Sequence, residues 1–162
     1  MTITMNIFFL YLSAKLAARC QCDSHVIKMI LESTQLLSGA VQILLDLKDS
    51  KLYKVTHGNH PCAIWVRSSK ANFNWLIEHA LELCYEYTKR YHRVHKSQAV
   101  IEYIKETYTC IEFPSETFFV PPMCMPEEYK ISKDVTLSYR EYYKKGKVSI
   151  TEWNHSDVPD WW

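Results

Sequence analysis

Only three of the 162 residues are glycine, Gly39, Gly58 and Gly146, and they stand far apart. The chain has no G-x-G-x-x-G and no G-x-x-x-x-G-K-[ST], the loops whose glycines let the backbone close around phosphates. A Rossmann dinucleotide domain and a P-loop ATPase are thereby excluded. The length suits one domain, residues 1–162, with a core of its own. Aromatic residues make up 14 %, eleven of them Tyr, which places some ring area at a pocket or an interface.

Nineteen Lys and Arg against eighteen Asp and Glu give a net charge of +1. Proteins that coat nucleic acid draw their affinity from neutralised phosphates and carry a larger basic excess. That class is excluded, while a nucleotide ligand or local contact with one nucleic-acid position stays open. Six cysteines are scattered, and Cys20-x-Cys22 lacks the two-residue spacing of zinc knuckles and thioredoxin motifs. They read as reduced, mostly buried thiols. The apolar stretch Met1–Ala14 is too short to span a bilayer and has no basic flank. The expectation is a cytoplasmic protein with no membrane partner.

The periodicity predicts a mainly α fold: a single-domain bundle of five to six helices, with at most one short N-terminal strand. Residues 5–11 are β-branched and aromatic enough for that strand. Ser13 is placed to cap a short helix through Cys20. Asp23 is placed to cap a longer one with Val26, Ile27, Ile30, Leu31, Leu37, Val41 and Leu44 inward. Pro61 opens a third helix, with Asn59 or His60 as its cap. Further helices are expected over about 72–92, after Ser97, and from Asp134 to near Gly146. Four prolines make 110–128 an irregular wrap or lid.

Four constellations carry candidate chemistry. His25, Lys28 and Glu32 fall three and four apart, so they share one helix face that borders the core. His57-x-Asn59-His60-Pro61 puts two imidazoles at a helix N-terminus, where an anion is favoured. The same pair could supply two metal ligands with Cys22 or His95 completing the set, or simply cap the helix. Glu86 and Arg90 form an acid-before-base pair leading into Arg93, His95 and Lys96, enough to hold one phosphate or carboxylate. Arg140 among Tyr139, Tyr142, Tyr143 and the terminal tryptophans could stack on a base, though such rings more often close a core.

At these motifs the chain resembles a family of small proteins of tailed bacteriophages and some bacteria. The likeness rests on Cys22-Asp23-x-His25-x-x-Lys28-Met29-x-Leu31-Glu32, on His57-x-Asn59-His60-Pro61-x-x-x-Trp65, and on Asn72 with Trp75. It continues through Glu86-Tyr87-x-x-Arg90-Tyr91-x-x-x-His95-Lys96-Ser97 to Tyr139-Arg140-x-Tyr142-Tyr143. It starts near Met5, so 1–4 read as an N-terminal extension. Ser24 replaces a usual Lys, His92 a usual Gly, and Tyr11-Leu12-Ser13-Ala14 an Asp-rich turn. The resemblance implies a phage setting in an infected host cell and no mechanism.

The expected function is an enzyme acting on a nucleotide or nucleic-acid base by hydrolysis or group transfer. His25, Lys28, Glu32, His57 and His60 are the candidate catalytic groups. Asn59, Trp65, Asn72, Glu86, Arg90, His95, Lys96 and Arg140 are the candidate ligand contacts. The sequence requires no metal or other cofactor, and a homo-oligomer is left open. The alternatives are a non-catalytic module that sequesters a nucleotide signal of host defence, and a plain interaction protein.

Overall fold

Two long helices carry the fold of the computed structural model, which describes residues 5–162. These are α2 (Asp23–Leu44) and α4 (Lys70–Tyr91), each 22 residues. Their apolar positions recur every three or four residues, so Val26, Met29, Ile30, Leu37 and Val41 face Leu76, Ala80, Leu83 and Cys84 in one core. Helix α1 (Ala14–Arg19) packs on α4, α3 (Pro61–Ser68) on both long helices, and α5 (Gln98–Thr107) on both as well. Helix α6 (Val135–Glu141) runs on into a π-helical turn, Tyr142–Gly146. Six α-helices and no strand are present among the described residues, as the periodicity predicts. None of these helices is long and apolar enough to cross a membrane. The extension expected at 1–4 lies outside the described residues.

The helix ends follow local chemistry. Side chains of Ser13, Ser69 and Asp134 accept from the first free amides of α1, α4 and α6. Capped by Ser69, α4 starts at Lys70, two residues before the expected Asn72, and His92 ends it in the left-handed region at φ 57°. Pro61 occupies the first turn of α3, and His60 Nδ1 accepts from the Cys62 amide at 3.1 Å. Two expected caps differ. Asp23 is the first helical residue of α2, because its carboxylate is taken by Arg90 and by the Asn154 amide. Ser97 makes no cap because its hydroxyl pairs with Tyr53 Oη at 2.7 Å. Ile27 and Leu31, expected inward, lie on the outer edge of α2 and are 42 % and 38 % exposed.

The segment expected as a strand is buried from Met5 to Leu10 but pairs with no neighbour strand. Side chains meet its backbone instead. Asn6 Oδ1 accepts from the Ile7 and Phe8 amides at 2.8 and 3.0 Å. Gln21 Nε2 donates to the Ile7 carbonyl and Arg140 Nε to that of Leu10. Within this segment Phe8 sits at φ 57°, a conformation that costs a bulky residue about 1–3 kcal/mol.

The Pro-rich stretch is irregular, as expected, and tied down at several points. Trp65 Nε1 donates to the Phe119 carbonyl at 2.7 Å. Asn72 accepts from the Phe119 amide and donates to the Trp65 carbonyl, both at 2.9 Å. The amide of Cys124 reaches Tyr139 Oη, and its carbonyl accepts from Asn6 Nδ2 at 2.7 Å.

Candidate active site

A cavity of about 340 Å³ opens where the buried N-terminal segment, α2, the loop before α3 and the wrap meet. Its ionisable groups are His25, Lys28 and Glu32 of α2, His60, Cys124 and Lys147, with Asn6, Phe8 and Tyr142 between them. A larger groove of about 610 Å³ lies elsewhere, but its Lys15, Lys70, Glu78 and Lys105 are exposed and Glu82 is paired with Arg19. The smaller cavity is where charge and burial conflict, and such conflict marks functional sites.

Glu32 shows that conflict most sharply. Its Oε2 is buried and has no hydrogen-bond partner among the described residues. Burial pushes its carboxyl up to about 7, although Lys28, the Asn6 amide and Lys147 pull the other way. A carboxyl at that level exchanges a proton readily at neutral pH.

His25 sits two turns nearer the start of α2 than Glu32 and is also buried. Burial, then Lys147 and Lys28, hold its imidazole down to about 3, so it is neutral. Tyr143 Oη accepts from the Cys22 amide at 3.2 Å and lies 2.7 Å from His25 Nδ1. Tyr143 Oη has a further neighbour in Cys22 Sγ at 3.6 Å, so one hydroxyl ties the imidazole to the start of α2. The Phe8 ring lies 4.3 Å from the His25 ring and fixes its plane.

The structure thus brings four of the expected catalytic groups, His25, Lys28, Glu32 and His60, to one cavity. The fifth, His57, is exposed at φ 52° in the loop before α3, and Asn59 beside it is exposed too. Neither lines the cavity, and the His57–His60 metal pairing with Cys22 or His95 is not assembled.

The expected ligand contacts lie elsewhere. Arg90 is fully buried and pairs with Glu86 at 2.9 Å and Asp23 at 3.3 Å, while also donating to the Gln21 and Arg19 carbonyls. It therefore does not converge with Lys28 and His60; it locks the start of α2 to the end of α4. Trp65 and Asn72 hold the wrap. His95 Nδ1 accepts from the Ser97 amide, and Lys96 is exposed. Arg140 donates to the Leu10 carbonyl and stacks 4.4 Å over Tyr11 and 5.3 Å from Trp161.

Several lining groups escaped the sequence reading. Tyr142 stood in a motif whose rings more often close a core. Asn6, Phe8 and Lys147 carry no periodic signal, because their placement depends on contacts across the whole chain. Cys124 sits in an irregular segment with no pattern to read.

Residues 5–99, which supply most of the cavity wall from Asn6 to His60, match the family of pyrimidine dimer DNA glycosylases. The chain belongs to that family. The match covers more than half of the sequence and leaves Cys124, Tyr142 and Lys147 beyond it. No curated protein and no solved structure matches the chain. Membership makes the reaction class hydrolysis at a nucleic-acid base and makes nucleic acid the partner.

Proposed function

We propose that this chain cleaves the glycosidic bond of one nucleotide of a pyrimidine dimer in DNA, with Glu32 as its acid–base group. The supporting observation is the buried, unpartnered Glu32 oxygen in a cavity that also holds two lysines. A cavity of about 340 Å³ takes one flipped nucleotide rather than a duplex. The near-neutral charge of the chain fits an enzyme that grips one position instead of coating DNA.

The reaction divides among the chain's own residues. Glu32, ionised, takes a proton from water as the water oxygen bonds to C1′. The C1′–N bond breaks and its electron pair goes to the pyrimidine ring. Lys28 stabilises the negative oxygen of the departing ring, and the proton held by Glu32 returns to it. Lys147 faces the backbone phosphate, and neutral His25 hydrogen-bonds the sugar.

A duplex oligonucleotide carrying one UV-induced pyrimidine dimer tests this reading. The wild type is expected to create an alkali-labile abasic site at the dimer, and Glu32→Gln to lose the reaction by about 10²–10⁴-fold. Binding without cleavage by the wild type would overturn it and favour the sequestering module; an active Glu32→Gln would remove Glu32 from the chemistry.

A further inference from the structure

One cluster at the cavity wall has no part in that reaction. His60, Cys62 and Cys124 each present a ligand atom, and the three atoms lie within 4.8 Å of one another. The two sulfurs are 3.6 Å apart. Around a tetrahedral zinc ion with bonds of about 2.3 Å, two thiolate sulfurs stand about 3.8 Å apart. A disulfide needs about 2.0 Å. The observed spacing is thus close to the edge of a metal tetrahedron.

The ligands are also held from behind. Cys62 lies in the first turn of α3 and is fully buried. Cys124 is fixed at both its amide and its carbonyl, by Tyr139 Oη at 3.2 Å and Asn6 Nδ2 at 2.7 Å. His60 Nδ1 accepts from the Cys62 amide at 3.1 Å, which fixes the imidazole beside the two sulfurs. Such backing preserves ligand direction and supports affinity.

We propose that His60, Cys62 and Cys124 form a three-ligand Zn²⁺ site in the cavity wall. Two thiolates and one neutral imidazole select a borderline-soft cation over magnesium or calcium. They cancel its charge, so the complex can sit in a buried wall. Binding moves one proton from each thiol to solvent, two for each ion. His60 and Cys124 both line the cavity, so the fourth coordination position faces its space.

Co²⁺ added to the reduced full-length chain is the first probe, read by thiolate-to-metal charge-transfer and tetrahedral ligand-field bands; Zn²⁺ is then titrated in to displace it. One ion per chain is expected, with release of two protons in weakly buffered solution. Cys124→Ala, on the wrap, should weaken Zn²⁺ binding by about 100-fold or more, since even supporting residues are worth about 10–100-fold. His60→Asn keeps a good helix cap while removing the imidazole, and should weaken binding similarly. Cys20→Ser with Cys110→Ser should leave the bands unchanged. Absence of the bands in the reduced chain, or their survival in both Cys124→Ala and Cys62→Ser, would overturn the site. So would a reduced chain that takes up no metal yet loses two thiols reversibly in air, which would make the pair a redox couple.

Discussion

Glu32 is a carboxylate kept where it costs stability. Its ordinary value of 4.5 is raised to about 7, mainly by burial. A raised value means that the folded protein favours the protonated form. The stability this group contributes is complete below about 4.5 and is lost as pH rises through about 7. Glu32→Gln, neutral at every pH, should therefore melt higher than the wild type at pH 8 and close to it at pH 5. It should lose base cleavage at both. A variant that melts lower at pH 8 would mean the carboxylate is paired and not a strained functional group. Lys28, exposed at the rim, has a different part. Lys28→Met should slow cleavage by about 10–100-fold while leaving the melting temperature within a degree or two, as calorimetry would show.

Between elements, the polar side chains act as ties. Asn72 is the clearest: its amide satisfies the Trp65 carbonyl and the Phe119 amide together. Asn72→Ala leaves the buried Trp65 carbonyl without this donor, at about 1–3 kcal/mol, and frees the part-buried Phe119 amide. The melting temperature should fall by roughly 5–15 °C, and limited proteolysis should cut first within 110–128. Arg90 performs the same task in charge. Arg90→Ala strands Glu86 and Asp23 and should cost about 3–5 kcal/mol in urea titrations, whereas Arg90→Met with Glu86→Leu should recover most of that. A ligand-binding Arg90 would instead lose DNA affinity with unchanged stability.

These ties explain what could be read from the sequence. Helix periodicity placed α2 and α4 correctly, and the i,i+3 and i,i+4 spacing put His25, Lys28 and Glu32 on one face. Spacing within a helix is local, so it survives without tertiary knowledge. Whether a conspicuous polar residue faces a cavity or a backbone carbonyl is not local. Arg90, Trp65 and Asn72 look like ligand contacts in sequence because buried ties use the same donors as binding sites. The strand expected at 5–11 failed similarly: its composition is right, but Asn6, Gln21 and Arg140 occupy the groups a partner strand would need.

Across the whole molecule, opposing titrations set where the protein is most stable. His79 is fully buried; its Nδ1 donates to the Ala14 carbonyl at 3.0 Å and its Nε2 accepts from Gln21 Nε2 at 3.1 Å. Acceptance at Nε2 requires the neutral ring, and burial lowers its value from 6.5 to about 4 against the pull of the Ala14 carbonyl. His25 is lowered further, to about 3. A depressed histidine contributes stability that is complete above about 6.5 and drains away as pH falls through its folded value. Glu32 drains stability in the opposite direction, as pH rises from about 4.5 through about 7. Midpoints of urea unfolding should therefore rise from pH 4 to a maximum near pH 6.5, dip slightly to pH 7 and stay level to pH 8. Glu32→Gln should remove the dip and steepen the rise between pH 4.5 and 6.5. His79→Gln, weaker overall, should make the acid side shallower without moving the alkaline one. If both variants kept the wild-type curve, the buried groups would titrate alike in the folded and unfolded chains, and the conflict between burial and charge that singles out the cavity would be absent.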